Sequence, residues 1–183
     1  HEESEPEAIE FYTPAQLSDL LQTASEETEY RHLLPVIALG GLAGLRLQEA
    51  VRLTWDDVFK AEGHVTVSRG KSKTRNRRLV EICPALASWL EPYRKYSGPV
   101  WTHNLDRFHD DFNSLRASLE IPARRNGLRH AFVTYHLALH KNENLTAAEA
   151  GNSPAMIHGH YNGLGTPKEA VKWFSVAPQQ PAN

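Results

Sequence analysis

Two stretches of the sequence alternate at every second residue, His64–Ser68 and Arg78–Ile82, and a polar, basic span joins them. Alternation at that period places successive side chains on opposite faces of an extended chain, so each stretch is predicted to be a strand. The short charged connection folds the pair back as an antiparallel hairpin with a basic tip. Cys83-Pro84 ends the second strand.

Elsewhere the apolar residues recur at helical spacing. Thr13-Pro14 supplies an N-cap hydroxyl and a proline at the first helical position. Leu17, Leu20, Leu21 and Ala24 follow as one helix face. A second helix is expected over Glu29–Leu39, punctuated by Gly40, Gly41 and Gly44, and a short one over Arg46–Leu53. Leu86, Trp89 and Leu90 mark another. Leu105, Phe108, Phe112, Leu115 and Leu119 form the clearest amphipathic stripe in the chain. Further helices are expected at Gly127–His140, Thr146–Gly151, Pro154–Gly159 and Pro167–Trp173. The expected fold class is α+β, mainly helical with a small antiparallel β-sheet.

The 183 residues are enough for one domain with a real core. Residues 1–12 are read as a linker or terminal remnant and 13–183 as the domain. The chain opens on His1 rather than methionine, so a preceding segment is expected. Cys83 is the only cysteine, which excludes a disulfide framework and suits a reducing cytosol. No signal peptide is visible and no apolar run reaches membrane-spanning length. The net charge of −2 argues mildly against a nucleic-acid partner, but its distribution argues for one. Residues 2–10 hold five acids, and residues 70–78 hold five bases: Lys71, Lys73, Arg75, Arg77 and Arg78. Arg124, Arg125 and Arg129 make a second basic knot.

Four separated segments carry candidate chemistry. In the first, Gly44 to Val58, Arg46 stands where a glycine turn enters a helix, a place of free backbone N–H groups suited to an anion. Glu49 lies one turn later and orients that arginine or a partner of it; an ordinary surface ion pair is the plainer reading. The second is the basic turn, Gly70 to Arg78, where a lysine can reach a DNA groove or simply be solvated. Gly70-Lys71-Ser72 imitates a P-loop ending, but position 65 is Val and a strand follows. In the third, Asn126 to Phe132, Arg129 again enters a helix, and His130 reads as a satisfied core histidine. His136 and His140 have the spacing of a helical metal pair, but position 137 is Leu and no third ligand is evident, so no metal is expected. The fourth is Gly151 to Tyr161, where a tyrosine between a short helix and the Asn162-Gly163 turn can be exposed and mobile; an ordinary surface or core tyrosine is the plainer reading.

In this order the segments resemble the catalytic domain of the tyrosine recombinase (phage integrase) family. Its boxes read GLR-x-x-E-x-x-x-L-x-W-x-D, a hairpin lysine, H-x-L-R-H, and a GH box nine residues before a nucleophilic tyrosine. Gly44 through Asp57 fits the first box, and Asn152 stands nine residues before Tyr161. The resemblance spans about residues 13–175. It implies that Arg46 and Arg129 bind the phosphate, that Glu49 braces the site and that Tyr161 is the nucleophile. Lys73 matches the hairpin lysine best, with Lys71 the competitor. Two positions depart from the family pattern: Asn126 and Asn152 stand where it has His, and His or Trp. Asparagine can hydrogen-bond a phosphate but cannot carry a proton. His130 joins Glu49 and Asn126 as a supporting residue, while Lys71, Arg75, Arg77, Arg78, Arg124 and Arg125 are candidate DNA contacts.

The resemblance further implies DNA cleavage and rejoining through a 3′-phosphotyrosyl bond. Two guanidiniums stand in for a metal, so no cofactor is expected. The implied partners are double-stranded DNA and further copies of the chain, as a tetramer on DNA; the isolated domain can also be a monomer, and no membrane is involved. The implied location is the cytoplasm, at the nucleoid. The family's separate N-terminal DNA-clamping domain is absent from this stretch of sequence. Two rivals remain: a DNA-binding module of this fold that has lost catalysis, motivated by the two asparagines, and an acid hydrolase using Asp56/Asp57 or Asp110/Asp111. Adjacent carboxylates on a helix point apart, which weighs against the second.

Overall fold

A computed structural model describes residues 7–70 and 77–180. Lys71, Lys73 and Arg75 lie outside the described residues. The architecture is mainly helical with one two-stranded antiparallel sheet, as expected.

Helix α1 (Pro14–Glu26) begins at a reciprocal cap. The Thr13 hydroxyl accepts from the Gln16 N–H, and the Gln16 side chain accepts from the Thr13 N–H. Its face of Leu17, Leu20, Leu21 and Ala24 is fully buried. The single helix expected over Glu29–Leu39 is instead a 3-10 turn (Thr28–Leu33) followed by α2 (Leu34–Ala43). Pro35 explains the break: it lacks an N–H and its ring clashes with the carbonyl four residues back, so it can only sit near a helix start. Gly40 and Gly41 do not end α2, which runs on to Ala43 with every residue buried. At Gly41 a methyl group would lie 3.0 Å from Leu17, so the glycine lets α1 come close. Gly44 ends the helix in the left-handed conformation, φ 71°.

After Gly44 come α3 (Leu47–Ala50), shorter than the span expected, and α4 (Trp55–Phe59). The Thr54–Asp57 capping box that starts α4 is a sequence signal the reading overlooked. Strands β1 (His64–Ser68) and β2 (Arg77–Glu81) pair in register from His64 opposite Glu81 to Ser68 opposite Arg77. Val65, Val67 and Val80 face the core.

The remaining helices are α5 (Pro84–Leu90), α6 (Leu105–Ser118), α7 (Gly127–His140), α8 (Glu143–Ala150), α9 (Pro154–Tyr161) and α10 (Pro167–Trp173). Helix α8 starts earlier than expected because Asn142 caps it, accepting from the Leu145 N–H. Helix α10 docks on its own chain. Trp173 is fully buried and its indole N–H reaches the Gly41 carbonyl at 2.8 Å. Residues 9–12, expected as linker, belong to the packed body: Tyr12 is buried and the Phe11 ring meets Tyr135 edge-on.

Candidate active site

Arg46 occupies the residue before α3, with extended backbone angles that follow directly from the left-handed turn at Gly44. Its own N–H donates to Glu49 Oε1 at 2.9 Å, so the first turn of α3 fixes where the side chain starts. The Arg46 guanidinium crosses to the α8–α9 turn. Nη2 donates to the Gly151 carbonyl at 3.3 Å and to Asn152 Oδ1 at 3.2 Å. Arg69, at the end of β1, donates to the same Gly151 carbonyl at 2.9 Å.

Glu49 is buried and resolves the choice left open for it. Its carboxylate takes the Arg46 backbone N–H and grips Arg78, Nη1 to Oε2 at 2.5 Å and Nη2 to Oε1 at 3.0 Å. Burial alone would push its pKa up, but the hydrogen bonds from Arg78 and Arg46 more than reverse this and hold it below the ordinary value. Arg78 also donates from Nε to the Glu149 carbonyl at 3.0 Å. It was read as a DNA contact; the structure turns it inward, because a buried carboxylate needs a paired cation.

Arg129 lies in the first turn of α7 and is 8% exposed. Nη1 donates to the Gly44 carbonyl at 2.7 Å, while Nη2 has no hydrogen-bond partner among the described residues. Burial, then the charge of Arg46, push its pKa down to about 10, opposed by Glu49. It is still a cation at neutral pH. An unsatisfied buried guanidinium nitrogen is costly and marks a place where an acceptor belongs.

Tyr161 is the last residue of α9. Of the exposed and core alternatives the structure takes the second: it is 5% exposed, packed in a cluster with Phe132, Val133 and Ile157. Its apolar ring fills the gap between α7 and α9. Its hydroxyl lies 2.7 Å from Nδ1 of His130. Burial raises the phenol pKa, while Arg129 and Arg46 pull it down. His130 is satisfied by this bond, as expected, but is only half-buried, and burial, then Arg129, lower its pKa.

Asn126 sits left-handed (φ 52°) before α7, with no side-chain cap bond. It borders an open cleft of about 500 Å³ shared with Arg46, Arg129, His130 and His109. Arg52 and Arg69, which sequence reasoning passed over, line the same cleft. Arg69 extends the basic run by one residue, the signal that was available. Arg125 and Arg77 are exposed. Arg124 pairs with Glu10 at 3.1 Å, tying the N-terminal segment to this side of the molecule.

The other candidate groups are engaged elsewhere. Asp57 caps α4, and Asp111 binds Arg107 and His32, so neither carboxylate pair forms a working dyad. His136 bonds Thr146 at 2.7 Å, and burial, then His140, push its pKa down to about 3. Among the described residues no three His, Cys, Asp or Glu side chains are grouped to hold a metal. No described helix is long and apolar enough to cross a membrane.

Residues 10–140 match the model of the phage integrase family. No curated protein sequence matches the chain. Among solved structures, XerA recombinase superposes with a TM-score of 0.72 at 18% identity, over 92% of this chain and 64% of that one. The Tn1549 transposon integrase, solved in complex with a circular intermediate DNA, gives 0.70 at 17%, over 92% and 65%. The catalytic domain of bacteriophage HP1 integrase gives 0.61 at 20%, over 87% of this chain and 98% of that domain. The chain thus spans less than two thirds of the first two solved chains and nearly all of the third. At these identities the likeness is one of fold.

Proposed function

The chain belongs to the phage integrase family, and from that premise we propose that it is the catalytic domain of a DNA-cleaving and rejoining recombinase with Tyr161 as nucleophile. The observation that carries the proposal is the convergence of Arg46, Arg129 and Tyr161. The two guanidiniums lie near enough to the phenol to act on its ionisation, and Arg129 keeps one buried nitrogen without an acceptor among the described residues. A phosphodiester bound there would supply the missing acceptor. Arg46 would exchange its contacts to Gly151 and Asn152 for the other nonbridging oxygen.

Phosphoryl transfer of this kind depends on positioning and charge stabilisation, which two fixed guanidiniums provide without a metal. Tyr161 would attack phosphorus and displace the 5′-hydroxyl, leaving a 3′-phosphotyrosyl bond. Lys73, or Lys71, would protonate the leaving oxygen. Glu49 holds Arg46 in place through its backbone N–H and is itself held by Arg78. Arg52, Arg69, Arg77 and Arg125 would meet flanking phosphates, and DNA-bound structures of the Tn1549 integrase and XerH recombinase support DNA as the partner. In this reading the packed body, from residue 9 onward, is the catalytic domain, a DNA-clamping domain precedes it in the whole protein, several copies assemble on DNA as a tetramer, and the work is done in the cytoplasm.

The test is adduct formation on nicked suicide duplexes selected by binding from a random pool. A covalent protein–DNA band that maps to Tyr161 and vanishes in Tyr161→Phe is expected. Tight binding without any adduct, with the preceding domain present, would favour the catalytically lost module.

A further inference from the structure

One contact in the site has no part in holding a phosphate: the 2.7 Å hydrogen bond between Tyr161 Oη and His130 Nδ1. The two residues come from different helices, His130 from the first turn of α7 and Tyr161 from the end of α9. A neutral imidazole offers one bare nitrogen, and a phenol facing it donates. His130 is kept neutral by burial and by the adjacent Arg129 charge, so the direction of the bond is from Oη to Nδ1. Tyr161 is itself protonated at rest, because burial outweighs the pull of Arg129 and Arg46 on the phenol. An attack through Oη therefore needs somewhere to put a proton. Asn126 and Asn152 cannot take one.

We propose that His130 is the general base for Tyr161, taking the phenol proton on Nδ1 as Oη attacks phosphorus. The identity of the electrophile as a DNA phosphodiester rests on the reading above; the proton acceptor does not. In cleavage the Oη–P bond forms and the P–O5′ bond breaks. The electron pair leaves on O5′, which takes a proton from an acid on the far side of phosphorus, and the phenol proton passes to Nδ1. In rejoining the O5′ hydroxyl returns its proton to the far-side group and attacks, Oη–P breaks, and Nδ1 returns its proton to the phenol. The charged groups bordering His130 are Arg129 beside it, Arg46 and Glu49 at the start of α3, Arg52 just after it, Arg69 just after β1, Arg125 ahead of α7, and Glu7 and Glu10 from the N-terminal segment. His109 of α6 is the other titratable imidazole of the cleft. Arg129 is the charge that, with burial, sets the direction for His130, and it disfavours the imidazolium until the phenolate is delivered to phosphorus.

The test needs no DNA. Diisopropyl fluorophosphate presents phosphorus with a fluoride leaving group that requires no acid, which isolates the base. Phosphorylation of Tyr161, mapped by mass spectrometry, is expected to rise with pH and level off once His130 is neutral. His130→Asn keeps an acceptor near the Nδ1 position but cannot accept a proton. It is expected to lower the plateau about 10²-fold or more, and to leave a rate that climbs toward the tyrosine's own pKa. His130→Gly with added imidazole should recover part of the loss. Independently, ¹⁵N-histidine NMR of the unaltered protein should show Nε2 protonated and Nδ1 bare, with the Nδ1 shift moving in Tyr161→Phe. An unchanged rate in His130→Asn, an unreactive Tyr161, or a proton on Nδ1 would each overturn the proposal; if the variants do not fold, the NMR tautomer decides. DNA cleavage that fails while Tyr161 remains reactive would count against the recombinase reading and leave the base in place.

Discussion

Arg78 closes a two-pronged grip on Glu49, at 2.5 and 3.0 Å, and both side chains are almost wholly out of water. The pair joins β2 to the first turn of α3, and through the Glu49–Arg46 backbone bond it sets the position of the first arginine of the cleft.

Removing one half of that grip should be severe. Glu49→Ala strands a buried guanidinium and is expected to lower stability by about 3–5 kcal/mol, read as a fall in the urea midpoint. The pH dependence has a definite sign. Glu49 has a folded-state pKa below its ordinary value of 4.5, so its contribution is complete above that value and fades as pH falls through the lower folded value. Glu49→Gln should therefore show a flatter loss of stability below pH 4.5 than the parent; parallel curves would contradict the pairing.

Arg78 and the exposed arginines should separate cleanly in DNA binding. Arg52→Ala and Arg125→Ala remove exposed cations and should each flatten the log–log salt dependence of binding by about 0.9 per lost phosphate contact, with stability unchanged. Arg78→Ala should instead lower the melting temperature, with little change of slope in whatever folded protein remains. Equal slope changes for all three would place Arg78 on the DNA.

Gly44→Ala combines two penalties. The left-handed backbone at φ 71° costs about 1–2 kcal/mol for an L-residue, and the added methyl would sit 2.3 Å from the Phe132 ring. Overpacking adds about 1–3 kcal/mol. Cleft geometry should suffer with stability, because Arg46 begins two residues on and Arg129 bonds the Gly44 carbonyl. Gly63→Ala, also left-handed but with open space around it, should cost only the backbone part; thermal melts of the two compare them.

The double replacement Asn126→His, Asn152→His restores titratable groups at two cleft positions. Single-turnover adduct formation between pH 6 and 9 should be at least as fast as in the parent, with similar affinity. A folded, DNA-binding double variant that cannot cleave would show that the asparagines are working parts, Asn152 through its bond to Arg46.

The sequence carried the α+β class, both strands and most helices, because those depend on local periodicity and caps. Pro35 carried its warning too: a residue without an N–H is visible in the sequence, and the Glu29–Leu39 reading ran through it. Gly40 and Gly41 misled in the other direction, since glycine marks a break only until a neighbour such as Leu17 needs the space. Arg46, Glu49, Asn126, Arg129, Asn152 and Tyr161 stood out only through the resemblance to the recombinase boxes. Their relations were not legible. Nothing local says that Arg78 faces inward, since a basic residue in a basic run looks like its neighbours, and the carboxylate that claims it lies 29 residues away. The burial of Tyr161 and its bond to His130 depend on how α9 folds back on α7, a long-range fact that no window around either residue contains.

Four arginine contacts around the cleft end on main-chain oxygens: Arg46 and Arg69 on Gly151, Arg78 on Glu149, Arg129 on Gly44. A carbonyl belongs to every amino acid alike and no substitution deletes it. Each contact therefore has one genetically visible end and one silent end. Alanine scanning would credit the arginines with the contacts, and any effect at Gly44 or Gly151 would report backbone conformation and space instead. Where glycine is required at such a position, as at Gly44 and Gly151, the left-handed backbone demands it and the contact does not.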